Sequence, residues 1–162
     1  MNIYKANISD IDNISELIAK FRVELLSYKN IQSDENIEKA KEEFTEYINA
    51  DYPIYTCKEN EKYLGYLVCR IDKPVVWVES LYVLKEFRRK GIASVLYTVA
   101  EDLAKSYGED TLYVYVHPNN DKMITFLNKR DYNVLNLIEI RKKYNNEKTT
   151  EKIRIRNNVF NY

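Results

Sequence analysis

A chain of 162 residues is the size of one domain with a real core, and 45% hydrophobic with 31% charged residues is an ordinary globular balance. Lysine plus arginine and aspartate plus glutamate both number 25, so no global charge argues for nucleic acid. No stretch approaches the roughly 18 apolar residues of a membrane span, and the opening MNIYKANISD lacks the apolar heart of a secretory signal. The expectation is one domain over residues 1–162, in the cytoplasm, with neither a nucleic-acid nor a membrane partner. Two cysteines, Cys57 and Cys69, without histidine partners make no zinc site, so they read as reduced strand residues and no metal is expected.

In chain order, residues 3–6 are a short first strand. Ser9 with Asp12 resembles a capping box, and Ile14, Leu17, Ile18, Phe21 and Leu25 follow at helical spacing. Ser33 or Asp34 starts a second helix with Ile37, Ala40, Phe44, Tyr47 and Ile48 inward. Its outer face carries Glu35, Glu38, Glu42, Glu43 and Glu46, either a solvated surface or an acidic wall for a cationic substrate. Three strands follow, over residues 53–58, 62–71 and 75–83, and their short polar connections imply an antiparallel meander. A helix over about residues 90–107 stops at Gly108, a natural residue past a helix end. Residues 111–116 are a fifth strand, and strand, crossover helix and strand imply one parallel pair. Asn119 or Asn120 caps a short helix to about Lys129. Residues 132–144 and 151–160 read as two closing strands joined by a polar loop.

The stretch WVESLYVLKEFRRKGIASVL, residues 77–96, organises the rest. A strand runs into a sharp turn and then into a helix with Ile92, Val95, Leu96, Val99 and Leu103 on one face. Arg88, Arg89 and Lys90 stand immediately before Gly91, where a helix already carries partial positive charge and unpaired backbone N–H groups. Cations gathered there favour an anion, most naturally a phosphate, with Gly91 letting the backbone close on it and Ala93 keeping the path clear.

This order of elements, with Arg88-x-x-Gly91-x-Ala93 after the fourth strand and Val116-x-Pro118-x-Asn120 after the fifth, resembles the GNAT superfamily of acetyl-CoA-dependent N-acyltransferases. The likeness covers the whole layout and is sharp over residues 77–132. It implies an α+β fold with a central mixed, mostly antiparallel sheet of about six or seven strands, splayed between the fourth and fifth and flanked by about four helices. It implies acetyl-CoA as cosubstrate, with the pantetheine arm along Leu81, Tyr82 and Val83. The pyrophosphate would lie on Arg88, Arg89, Lys90, Gly91, Ile92, Ala93 and Ser94, and Asn120 would join the cofactor set. It further implies attack of an amine on the thioester. The closing strands, ending in Val159-Phe160-Asn161-Tyr162, leave a sheet edge for a second copy, and family habit agrees with a homodimer.

An alkyl amine with a pKa near 10 is only about a thousandth deprotonated at pH 7, so a base is useful. Glu79, two residues before Leu81, is the candidate base, and its other reading is a sheet-face glutamate in an ion pair. His117, the one histidine, is the second candidate. In the family a tyrosine often stands seven residues after the motif asparagine as the acid for the leaving thiolate. Leu127 stands there in this chain, and Tyr82, Tyr97 or Tyr132 is left to substitute. That departure keeps open a non-catalytic acyl-CoA-binding module of the same fold. The acceptor amine is not legible.

Overall fold

The structure, a computed structural model, describes residues 2–162. The chain divides into two compact units, Met1–Phe126 and Leu127–Tyr162.

In the first unit β1 (Asn2–Lys5), β2 (Ile54–Glu59), β3 (Lys62–Asp72), β4 (Val75–Val83) and β5 (Tyr113–Val114) form a sheet in the order β1-β2-β3-β4-β5. The first three pairings are antiparallel, and β4 with β5 is parallel. The chain passes from β4 to β5 through α3 (Ile92–Ser106), the crossover that a parallel pair requires. Helices α1 (Ile11–Ser27) and α2 (Ile37–Asn49) lie between β1 and β2 in sequence. Ile14, Leu17 and Ile18 of α1 and Ala40, Phe44 and Tyr47 of α2 share one core cluster with Ile54, Tyr66, Val68 and Tyr82 of the sheet. Gly65 is needed where β3 meets β4, because a Cβ there would lie 2.7 Å from the Tyr82 carbonyl oxygen.

Several expectations are corrected. The N-terminal box is Asn7 with Asp10, two residues earlier than Ser9 with Asp12. The Asn7 N–H donates to Asp10 Oδ2 at 2.9 Å and a short 3-10 turn, Ile8–Asp10, precedes α1. Helix α2 starts later than Ser33 or Asp34, at Ile37, because Asn36 Oδ1 accepts from the Lys39 N–H at 2.9 Å. On α3 the buried residues are Ile92, Leu96, Tyr97, Ala100 and Ala104, and Val95 is exposed, so the inward face is turned from the expected one. Strand β5 is two residues long rather than six, since β4 offers it no partner beyond Val78.

In the second unit, residues 132–144 form no strand. Val134, Leu135, Leu137, Ile138 and Ile140 are apolar on both would-be faces, which specifies no register, and a strand holds its backbone only by pairing. The hairpin closes instead inside the last segment, β6 (Lys152–Ile155) against β7 (Asn158–Asn161), around Arg156 and Asn157. A short helix, α4 (Asp121–Asn128), runs across the boundary between the units. Asn120 caps it, accepting from the Met123 N–H at 3.1 Å. Among the described residues no helix is long and apolar enough to cross a membrane.

Candidate functional site

The edge of β4 that faces β5 is paired only at Trp77 with Tyr113 and Val78 with Val114. Beyond Val78 it is open. On the other side β4 stays paired with β3, and Val68 opposes Ser80 while Cys69 opposes Val78. Glu79 is therefore an extra residue, a bulge that bends β4 where the pairing with β5 stops. The Leu84 N–H reaches the Leu64 carbonyl in β3 at 2.9 Å, so strand alternation turns the backbone groups of Val83 and Leu81 toward the open edge. The backbone of Tyr82 points to β3, as its carbonyl lying close to Gly65 shows.

The open edge runs into the start of α3. Arg89 at φ +65° and Gly91 at φ +83° hold left-handed conformations on either side of Lys90 and fold the chain into a tight corner. Gly91 is the N-cap and its backbone lacks a side chain to cap the helix, so no side chain satisfies the first amides. The first intrahelical bond is Val95 N–H to Gly91 O at 3.0 Å, which leaves the amides of Ile92, Ala93 and Ser94 as donors without helical partners. No acidic residue lies in the first turn. Neither Arg89 nor Lys90 has an ion-pair partner among the described residues, and Lys90 Nζ sits 4.8 Å from the Phe87 ring centroid.

Arg88 is engaged differently. Its Nη1 and Nη2 donate to Glu24 Oε1 and Oε2 at 3.0 and 2.6 Å, and its Nε donates to the Val83 carbonyl at 2.9 Å. Burial alone would raise the Glu24 pKa, but the hydrogen bonds and charge of Arg88 outweigh it and hold the carboxyl below the usual glutamate value. The Tyr28 hydroxyl donates to Glu24 Oε1 at 3.0 Å, and burial together with that carboxylate pushes the phenol up to about 12. Sequence reasoning missed Glu24 and Tyr28. Nothing in a pattern ties a glutamate near a helix end to an arginine 64 positions away.

Glu79 is solvent-facing, with Oε2 3.4 Å from Arg70 Nε; Arg70 also pairs with Asp72 at 2.5 Å. Beside it Ser80 is buried, its Oγ 2.7 Å from the Tyr66 hydroxyl. Past β5, His117 stacks on Tyr28 with centroids 6.0 Å apart, and its Nδ1 accepts from the Asn119 N–H at 3.2 Å. Burial and the charge of Lys29 lower the His117 pKa, so the neutral ring, with its proton on Nε2, is favoured near neutral pH. The tyrosines considered as acids differ in setting. Tyr82 packs against Phe21 with Arg88 over its ring, and Tyr97 lies buried edge-on to Phe126. Tyr132 belongs to the second unit, as does Leu127, which is buried. Among the described residues no group of three or more His, Cys, Asp or Glu is placed to hold a metal.

This mostly antiparallel sheet with a parallel pair at its edge is a fold shared with solved N-acetyltransferases. The model of the acetyltransferase (GNAT) family matches residues 18–132, and the chain belongs to that family. Solved structures share the fold. Aminoglycoside antibiotic 6'-N-acetyltransferase AAC(6')-IG from Acinetobacter haemolyticus is 20% identical with a TM-score of 0.62, over 89% of this chain and 99% of that one. AAC(6')-Iy, in complex with the bisubstrate analog CoA-S-monomethyl-acetylneamine, is 16% identical with a TM-score of 0.67, over 88% and 98%. The PaiA N-acetyltransferase from Thermoplasma acidophilum, in complex with coenzyme A, is 23% identical with a TM-score of 0.65, over 80% and 87%. At these identities the likeness is one of fold.

Proposed function

We propose that this chain transfers the acetyl group of acetyl-CoA to a primary amine by direct attack. The observation that carries the reading is the open β4 edge leading into the uncapped start of α3. The pantetheine arm would add to that edge like a strand, bonding the backbone of Leu81 and Val83. Tyr82 keeps that alternation in place with its ring in the core. The pyrophosphate would accept from the amides of residues 89–94, with Arg89 and Lys90 adding charge and Arg88 contributing its backbone. Asn120, as the cap of α4, holds the start of that helix beyond β5. CoA-bound relatives of the same fold support this assignment.

In the reaction the amine nitrogen forms a bond to the thioester carbonyl carbon and the carbon–sulfur bond breaks. The thiolate departs with the bonding electrons and is protonated from solvent or a donor. The ammonium proton goes to Glu79, directly or through a water. A thiol with a pKa near 8.5 leaves without much help, so Leu127 in the family's tyrosine position is compatible with turnover. The family match crosses the boundary between the two units, which supports one catalytic domain over residues 1–162. Exposed Glu42 and Glu46 support a cationic acceptor; charge reversal at both should raise the KM for the amine and spare that for acetyl-CoA. Two free cysteines fit a reducing, cytoplasmic setting, and the exposed apolar side chains of Val134, Leu135, Leu137, Ile138 and Ile140 support a homodimer, which light scattering at tens of micromolar checks.

The test is release of free thiol from acetyl-CoA with a panel of aminoglycosides, polyamines, amino acids and lysine peptides. Turnover with any of them is expected. Binding of acetyl-CoA without turnover across the panel would favour the non-catalytic acyl-CoA module that Leu127 suggests.

A further inference from the structure

We infer that Glu24, in the last turn of α1, and Tyr28, the residue that caps its end, are positioning residues for acetyl-CoA: they form a bracket that fixes the phosphate corner and spans the open gap of the sheet. This inference rests on the acetyl-CoA reading above and says what sets the geometry of that site.

The first arm of the bracket reaches the end of β4. The Arg88 guanidinium makes two bonds to Glu24, and its third donor holds the Val83 carbonyl, on the edge turned toward the gap. The pair is largely shielded, with side-chain exposures of 14% for Glu24 and 25% for Arg88, so it is less screened than a surface pair, and its fork geometry fixes direction as well as distance. Arg88 directly precedes the left-handed corner of Arg89 and Gly91. Holding its side chain from α1 therefore aims the amides that follow. Tyr28 supplies a second donor to Glu24 Oε1 and locks the carboxylate in place.

The second arm reaches the far side of the gap. Tyr28 stacks on His117, and its backbone carbonyl accepts from Asn119 Nδ2 at 2.9 Å. Glu24 and Tyr28 are four residues apart and so lie on one face of α1. One helical face thus touches the strand before the gap and the segment after it, in a region where β4 and β5 no longer bond each other.

The bracket makes a prediction opposite in sign to the direct role that the sequence suggests for Arg88. If the guanidinium bound phosphate, removing the charge of Glu24 would free it and tighten CoA binding, and simple electrostatics on a polyanionic ligand would push the same way. If Arg88 is a strut, removing its anchor misaims the amides and weakens binding.

The experiment is calorimetric titration of coenzyme A into wild type, Glu24→Gln and Asn119→Ala, with circular dichroism of each. Asn119 is an exposed residue on the second arm, so its variant is expected to fold even if the first does not. The bracket predicts Kd raised at least tenfold in Glu24→Gln and at least threefold in Asn119→Ala, at unchanged stoichiometry. A merely structural role would instead lower the stoichiometry, as part of the protein unfolds, and leave Kd alone. Unchanged or tighter binding by folded Glu24→Gln, or an unchanged Kd in Asn119→Ala, overturns the bracket. Failure of wild type itself to bind would overturn the acetyl-CoA reading instead.

Discussion

Glu79 occupies the one position where β4 carries a residue more than β3 can pair. A bulge re-aims a side chain, and here it leaves a carboxylate exposed at the point where the sheet opens. If that carboxylate takes the ammonium proton, Glu79→Gln should lower kcat by about 10²–10⁴-fold at pH 7. The loss should shrink toward pH 10, where the amine deprotonates itself. A kcat within twofold of wild type would reduce Glu79 to the ion pair with Arg70. The two thiols make a second residue-level prediction. Burial pushes the Cys69 thiol up to about 12 and raises Cys57 too, so neither should react with a disulfide reagent until the protein is unfolded. Prompt labelling of the native protein would contradict their places in the sheet. Gly91 was legible in the sequence because glycine is scarce and three cations precede it. The hold of Glu24 on Arg88 was not, since it depends on the packing of α1 against the end of β4.

The start of α3 depends on a conformation more than on a contact. Gly91 holds φ +83°, and a Cβ there would meet nothing within 4 Å. Gly91→Ala should therefore cost roughly 1–2 kcal/mol of stability from backbone strain alone, read as a lower urea midpoint at unchanged slope. No loss would mean that the corner relaxes without the left-handed residue. The elements with one clear period were readable: α1, α2, the three meander strands and α3 stand close to where their patterns place them. The misses have physical causes. Asn7 takes the cap because its side-chain Oδ1 accepts from the Ser9 N–H at 2.9 Å while the Asp10 carboxylate accepts from its backbone N–H. Strand β5 is cut short by a bulge on its neighbour, and residues 132–144 lack the alternation that would choose a face.

At the scale of the molecule the sheet separates two tasks. One face is sealed by α1 and α2 around Phe44, Ile14 and Tyr66, and the open β4 edge is left beside α3. The groups around the gap also set how the whole fold answers pH. His117 and Glu24 both have lowered pKa values in the fold. Each stabilises above its unfolded value, near 6.5 for the histidine, and that contribution is lost as the pH falls through its folded value. Tyr28, raised from 10.0 to about 12, acts on the other side, stabilising below its unfolded value and losing that contribution as the pH rises through its folded one. The urea midpoint should be highest between about pH 7 and 10 and decline on both sides; a constant midpoint from pH 7 down to 4 would contradict these assignments. Calorimetric titration of acetyl-CoA into wild type and into an Arg88→Glu, Gly91→Glu double variant shown to be folded tests directly whether the cofactor binds at the start of α3. Micromolar binding by wild type, on the order of −8 kcal/mol, is expected and should be lost in the variant. No binding by wild type, or equal binding by both, would contradict the placing of the cofactor at the start of α3.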